Sequence, residues 1–130
     1  MINSNFNVLS VRMSNAYFAM CDNDYEGEIE TQIETRHAFA DNGENKAKAE
    51  LILNVFPDTE KTAPFRVEIK MEGIFTWDDS LKGKVEDFME VNAMALLYSY
   101  ARPIVTQLTT AANCTPLILP MMNFTSKTAE

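Results

Sequence analysis

Three stretches between residues 26 and 77 alternate apolar and polar side chains with a period of two. They read EGEIETQIETRH, KAKAELILNVFP and PFRVEIKMEGIFTW. Such alternation is typical of β-strands that turn one face toward a core and the other toward solvent. The connections DNGENK and DTEKTAP are short and rich in turn-forming residues, which predicts an antiparallel meander. The apolar face of this meander needs a second layer to cover it.

The flanking segments supply a fourth strand and that second layer. FNVLSVRMSNAYFAM is extended in character, and its alternation slips between Val8 and Leu9, which indicates a bulge. Residues 84–112 carry apolar side chains at spacings of three and four, as an amphipathic helix does. Pro103 predicts a kink in this helix near Ser99. The expected fold is α+β, with a four-stranded antiparallel sheet packed against one long C-terminal helix.

The predicted helix is longer than the sheet it covers. A helix of about 29 residues spans roughly 44 Å at 1.5 Å per residue, whereas a strand spans about 20 Å. We therefore expect part of the helix to bury against a second copy of the chain. The 130 residues suit a single domain, residues 1–130.

Charge and hydropathy exclude several classes of partner. The net charge of −8 disfavours nucleic acid and anionic membrane surfaces, because both attract clustered Lys and Arg, but it is compatible with a basic protein partner. Residues 103–126 carry no charge, yet Gln107, several threonines and two prolines interrupt them, so membrane insertion is not expected. The N-terminal MINSNFN lacks the basic and apolar regions of a signal peptide. A cytoplasmic location is predicted.

The residues that carry most catalytic and metal chemistry are sparse. Cys21 and Cys114 are too far apart for a disulfide framework or a zinc ribbon and are expected to pack as small apolar side chains. His37, the single histidine, ends a strand and is expected at the surface. No Gly-rich phosphate loop or nucleophile elbow is present in the sequence. We predict no enzyme activity, no cofactor and no metal.

Two features invite a functional interpretation. Residues 20–34 hold six carboxylates and no basic residue, which fits either a solvated sheet face or a docking surface for a basic partner. Residues 113–124, NCTPLILPMMNF, form an apolar segment that either packs over the core or walls a groove left open for a ligand. The eight methionines favour the groove, because flexible thioethers suit surfaces that accept varied apolar partners.

Three motifs in register resemble the bacterial SecB family of export chaperones. They are Gly73-Ile74-Phe75 at the end of a strand, Ser99-Tyr100-Ala101-Arg102 within the helix, and residues 116–124 after it. The resemblance covers about residues 5–124. It implies an ATP-independent holdase that binds unfolded client polypeptides in long hydrophobic grooves and assembles as dimers or dimers of dimers.

The resemblance also implies roles for particular residues. The helix and the segment after it would contribute Leu97, Tyr100, Leu117, Leu119, Met121 and Phe124 to a client-binding groove, and the crossover between the first two strands would contribute Tyr17, Phe18 and Tyr25. The outer sheet face, with Glu26, Glu28, Glu30 and Glu34, would dock on the SecA motor.

Two departures from the family pattern narrow the expected function. The family continues after the NF motif into a second helix that lies over the groove as a lid, whereas this sequence ends in TSKTAE. The crossover, at residues 21–26, is also short. Both fit a SecB-like chaperone dedicated to one client, such as an antitoxin. The alternative is a non-chaperone assembly protein that uses the same fold and buries residues 113–124 between subunits.

Overall fold

The computed structural model describes residues 5–21 and 24–125. Its sheet contains β1 (Phe6–Met20), β2 (Thr31–Phe39), β3 (Lys46–Val55) and β4 (Phe65–Trp77). The strands are antiparallel in the order β1-β4-β3-β2, so β2, β3 and β4 form the predicted meander and β1 lies beside β4 at one edge. The predicted α+β fold, a four-stranded sheet with one C-terminal helix, is confirmed.

The C-terminal helix occupies residues 85–111 and has three parts. A turn of α-helix (Val85–Asp87) leads into a π-helical segment (Phe88–Ala93) and then into an α-helix (Met94–Ala111). Pro103 lies inside the last part without ending it. The π-helical segment was not predicted, because apolar spacings of three and four do not reveal one extra residue in a turn.

The core lies between this helix and the inner face of β3 and β4. The alternation in both strands is confirmed, since every second side chain is buried. The buried residues from the strands are Ala47, Ala49, Leu51, Leu53, Val55, Phe65, Val67, Ile69, Met71 and Phe75, and those from the helix include Met94, Leu97, Ala101 and Val105. We call the opposite side of the sheet, which faces away from the helix, the outer face.

Gly73 allows the helix to approach the sheet closely. A Cβ atom at this position would lie 2.7 Å from Cε2 of Phe75 and 3.1 Å from Cδ2 of Leu97. The missing side chain therefore makes room for a ring and a leucine on the inner face of β4. The expectation that another element approaches β4 at this glycine is confirmed.

We predict that Gly73→Ala lowers the free energy of unfolding by about 1–3 kcal/mol, because the added methyl group overpacks the core. Urea unfolding of the single variant, of Phe75→Leu and of the double variant measures the coupling. Phe75→Leu removes most of the ring that the added methyl group would overlap. The double variant should therefore lose less free energy of unfolding than the sum of the losses in the two single variants. Additive losses would contradict the close-approach explanation.

The edge strand β1 is long and only partly covered. Its pairing with β4 shifts between Val8 and Ser10, which confirms the predicted bulge, and shifts again between Met13 and Asn15. The helix packs mainly on β3 and β4, so only some inner-face residues of β1, such as Phe6 and Phe18, are packed against the core and others stay open. Val8, Met13 and Met20 are each close to half exposed.

The expected position of the acidic residues is wrong for three of the four glutamates. β2 begins at Thr31, so Glu26, Glu28 and Glu30 precede the strand, and only Glu34 lies on it. The reason is the length of the neighbouring strand: Thr31 pairs with Val55, the last residue of β3, and no further ladder is available.

His37 is less exposed than expected. It lies on the inner face of β2, where its Nε2 is 2.8 Å from Oε1 of Glu86 at the start of the helix, and its side chain is mostly buried. The histidine therefore joins the edge strand to the first helical turn.

Candidate functional site

The helix ends in a turn that sends the chain back along its own surface. Asn113 has a positive φ of 62°, its N–H donates to the carbonyl of Thr110, and the N–H of Cys114 donates to that of Thr109. These bonds form a Schellman motif, in which Asn tolerates the left-handed conformation. We call residues 113–125, which follow this turn, the strap.

Side chains on one face of the helix hold the strap. Nε and Nη2 of Arg102 donate to the carbonyl of Leu119 at 3.0 and 2.8 Å. The hydroxyl of Tyr98 donates to the carbonyl of Pro120 at 2.7 Å, and that of Thr106 donates to the carbonyl of Leu117 at 2.6 Å. Burial raises the pKa of Tyr98, so its hydroxyl remains a donor at neutral pH. The strap is thus fixed to the helix without a β-ladder.

The strap divides its apolar side chains between the core and the solvent. Leu119 is 3% exposed, whereas Ile118 and Met121 are 75% and 84% exposed. Leu117 and Phe124 are half-buried, and the Phe124 ring lies 5.9 Å from that of Tyr98 in an edge contact. Both interpretations of this segment therefore hold in part, since the strap packs over the core and also presents apolar surface.

We predict that Arg102→Ala releases the strap and lowers the free energy of unfolding by about 1.5–3 kcal/mol, since it removes two hydrogen bonds from a charged donor. Amide exchange of residues 117–122 should accelerate. Gln107→Ala, at an exposed position of the same helix, is the matched control and should leave both measurements unchanged. Unchanged exchange in Arg102→Ala would show that these bonds do not hold the strap.

A chain of aromatic rings lies where the first two strands cross over. Phe18 stacks on Phe65 at 5.7 Å, Phe65 meets Phe56 edge-on at 5.5 Å, and Phe56 meets Tyr25 edge-on at 5.0 Å. Phe56 has a positive φ of 55°, which is unfavourable for a bulky residue. Its N–H donates to the carbonyl of Glu30, and its carbonyl accepts from Arg66. The end of β3 therefore stores local strain to place this ring.

The rings of Tyr25, Phe56 and Phe65 and the start of the strap line an apolar groove of about 420 Å³. We call it the crossover groove. It is lined by Tyr25, Gly27, Ile29, Phe56, Pro64, Phe65, Cys114, Thr115, Pro116 and Leu117. Its walls are mostly apolar, and the wall that contains Tyr25, Gly27 and Ile29 belongs to an irregular segment. Such a groove suits an extended apolar segment better than a small polar substrate.

A second depression of about 320 Å³ lies at the other end of the strap. Phe124 and Thr125 form one side of it, and Thr35 and His37 of β2 form the other. The strap and β2 therefore run side by side in the same direction. The crossover groove lies at the N-terminal ends of both segments, and this depression lies toward their C-terminal ends. Apolar surface is available along the whole strap, including the exposed Ile118 and Met121.

The structure brings together some of the predicted groove residues and separates others. Phe18, Tyr25 and Leu117 lie in or beside the crossover groove, while Phe124 lies at the opposite end of the strap. Met121 is exposed on the strap, and Tyr100 is half exposed on the helix.

Three of the predicted groove positions need correction. Leu97 is fully buried against the sheet, and the side chain of Leu119 points from the strap into the core, so neither presents surface to a client in this conformation. Tyr17 pairs with Glu68 on the outer face of the sheet, because consecutive strand residues point to opposite sides and Phe18 takes the inner side. The predicted SecA docking through the acidic residues stays a prediction.

Sequence reasoning missed Ile29, Phe56 and Phe65 as groove residues. The alternation predicts a strand that includes Ile29, and it predicts Phe56 at the end of one strand and Phe65 at the start of the next. The signal that was available is the cluster of aromatic residues and prolines at 56–65, which flanks a turn and carries more apolar surface than a solvent loop needs.

Both cysteines are free, and Sγ of Cys114 lies 3.6 Å from Sδ of Met20. Across residues 5–21 and 24–125, no group of three or more His, Cys, Asp or Glu side chains is arranged to hold a metal ion. Within the same ranges, no helix combines the length and the apolar character needed to cross a membrane. The expected absence of a lid helix concerns residues 126–130, which lie outside the described residues.

Comparison with known sequences identifies one family. The family model for SecB, preprotein translocase subunit SecB, matches residues 6–127. A protein-export protein SecB from Neorickettsia sennetsu is 29% identical over 119 residues, covering 87% of this chain and 72% of that protein. An uncharacterized protein from Methanocaldococcus jannaschii is 33% identical over 61 residues, which span 47% of this chain and only 39% of the relative.

A solved structure shares the fold at low sequence identity. It is a SecB-like chaperone from Mycobacterium tuberculosis in complex with a peptide from an antitoxin, with a TM-score of 0.73 and 13% identity. The match covers 92% of this chain and 91% of the other. The β-sheet, the long helix and their connection are therefore arranged alike in the two proteins.

Proposed function

The chain belongs to the SecB family, whose members are chaperones and not enzymes, and we propose that it is an ATP-independent holdase for unfolded client polypeptides. The crossover groove is the observation that supports this proposal most directly. Its apolar lining and its open rim suit an extended chain with apolar side chains at alternate positions.

One part of the client occupies the crossover groove, and the client chain continues from there along the strap. Tyr25, Ile29 and Leu117 line the groove, and Ile118 and Met121 extend the apolar surface beyond it. Extended clients offer free backbone groups as well as apolar side chains, so many sequences fit at modest affinity. The M. tuberculosis chaperone with its antitoxin peptide makes an antitoxin segment a reasonable class of dedicated client here too.

The cytoplasm is the compartment we propose for this activity. Cys21 and Cys114 are both free thiols, and a reducing compartment keeps such thiols unpaired.

We predict that the chain suppresses aggregation of a chemically denatured model protein without any nucleotide. Ile29→Ser should weaken client binding by about 1 kcal/mol, a roughly fivefold rise in Kd, because it removes apolar area from the groove wall. Light scattering during dilution of the denatured protein measures suppression, and anisotropy of a labelled apolar peptide measures Kd.

Ile52→Ser is the matched control, because it makes the same substitution on the outer face of the sheet, away from the groove and the strap. It should change Kd less than Ile29→Ser does. Unaltered scattering at stoichiometric chaperone would remove the holdase proposal. The alternative, an assembly protein without client binding, predicts in addition that the native oligomer does not bind the apolar dye ANS.

We also propose that the chain forms a homo-oligomer through the uncovered inner face of β1. This strand is a 15-residue sheet edge, and its apolar residues Val8, Met13 and Met20 stay open because the helix lies over β3 and β4. Exposed apolar side chains on a long edge strand of this kind are a ready site for contact with a second chain. The assembly is a dimer or a dimer of dimers.

Sedimentation should give a mass of at least twice 14.7 kDa for the native chain. Met13→Asp places a charge on the proposed interface and should shift the protein toward the monomer. Met121→Asp, on the exposed part of the strap, should leave the mass unchanged. A strict monomer for the native chain would exclude the oligomer.

A further inference from the structure

The outer face of the sheet carries charge of the sign opposite to that of the whole chain. Strand register places six cations on this face, Arg12, Arg36, Lys46, Lys48, Arg66 and Lys70, and four carboxylates, Glu34, Glu50, Glu68 and Glu72. Its formal charge is therefore +2 (six minus four), whereas the chain has −8. The remaining residues then carry −10 (−8 minus +2), so this face is a cationic island on an acidic protein.

The centre of the face is an ion-pair network that crosses all four strands. Arg12, Glu72, Glu50 and Arg36 stand side by side as cross-strand partners. The contacts are Arg12 Nε to Glu72 Oε1 at 3.0 Å, Arg36 Nε to Glu50 Oε1 at 2.7 Å, Lys70 Nζ to Glu50 Oε2 at 3.0 Å and Lys48 Nζ to Glu72 Oε2 at 3.5 Å. We call these six side chains the outer network. Four cations surround two carboxylates.

The carboxylates of the outer network lie beneath its cations. The side chains of Glu72 and Glu50 are 10% and 16% exposed, whereas those of Arg12 and Arg36 are 75% and 66% exposed. A hydrogen bond from Lys70 lowers the pKa of Glu50, and one from Arg12 lowers the pKa of Glu72. Both carboxylates are thus ionised at neutral pH, and a charge of +2 still faces the solvent.

From this arrangement we propose that the outer face is a docking surface for an acidic segment of a partner protein. The backbones of Arg12 and Arg36 lie on the two edge strands, three strand spacings or about 14 Å apart. An extended segment covers that distance in about four residues, so carboxylates four residues apart reach both guanidinium groups. Arg also pairs with carboxylates in a bidentate manner. Each of the two exposed guanidinium groups has N–H groups left over besides the Nε–H that it donates within the outer network.

A short acidic segment fits this surface better than a long polyanion does. Nucleic acid would extend past the cationic island and meet the acidic remainder of the chain, which repels it. At about 0.1 M salt the Debye length is about 10 Å, so the distant negative charge is largely screened from a short peptide on the island. The inference does not depend on the holdase proposal, because the groove lies on the other side of the sheet.

The test uses a fluorescently labelled nine-residue peptide of alternating Glu and Ser, with the same peptide carrying Gln in place of Glu as its control. Anisotropy at about 0.1 M salt should show binding of the Glu peptide and not of the Gln peptide, and the affinity should fall at least tenfold in about 0.5 M salt. Equal binding of the two peptides, or failure of the Glu peptide to bind, would overturn the proposal.

The variant Arg12→Gln/Arg36→Gln should weaken binding of the Glu peptide about tenfold. Lys82→Gln/Lys84→Gln is the matched control, because it changes the net charge equally at two exposed lysines outside the sheet, and it should change the affinity less than twofold. If the arginine variant does not fold, as judged by circular dichroism, Lys48→Gln replaces it, with a smaller loss expected. Equal losses in the arginine and lysine variants, or tighter binding of a DNA duplex than of the Glu peptide, would overturn the assignment.

Discussion

The contact between the C-terminal helix and the inner face of β3 and β4 determines the rest of this structure. Gly73 leaves space for Leu97 and the ring of Phe75, which brings the helix onto the centre of the sheet. A helix in that position covers two strands and leaves part of the inner face of β1 open. It also presents Tyr98, Arg102 and Thr106 to the returning chain, so the strap has a surface on which to lie.

The sheet separates two surfaces of different character. On the inner side, the crossover groove and the strap present apolar surface to an extended chain. Helix side chains donate hydrogen bonds to strap carbonyls that would otherwise have no partner. On the outer side, the outer network presents cations above buried carboxylates. The first surface suits apolar segments and the second suits acidic ones, so the two proposals place different kinds of partner on opposite sides of the sheet.

Much of the fold could be predicted, because each strand and the helix carry a clear periodicity. The bulge near Val8, the close approach at Gly73 and the extent of the helix all followed from local pattern. The site was harder to predict. Tyr17 and Phe18 are neighbours in sequence but lie on opposite faces, and Leu97 matches a groove motif but is buried. Phe56 and Phe65 reach the groove only because a turn brings β3 and β4 together.

By itself, the sequence determined which segments form strands and a helix and which face of β3 and β4 is apolar, since a period of two or of 3.6 reports burial along one element. The tertiary structure alone decided which strands the helix covers, where β2 begins and which side chains line the groove. Those features depend on contacts between segments far apart in the chain. The cationic outer face belongs to the same class: Arg12 and Arg36 come from the two edge strands and act together only because β4 and β3 lie between them.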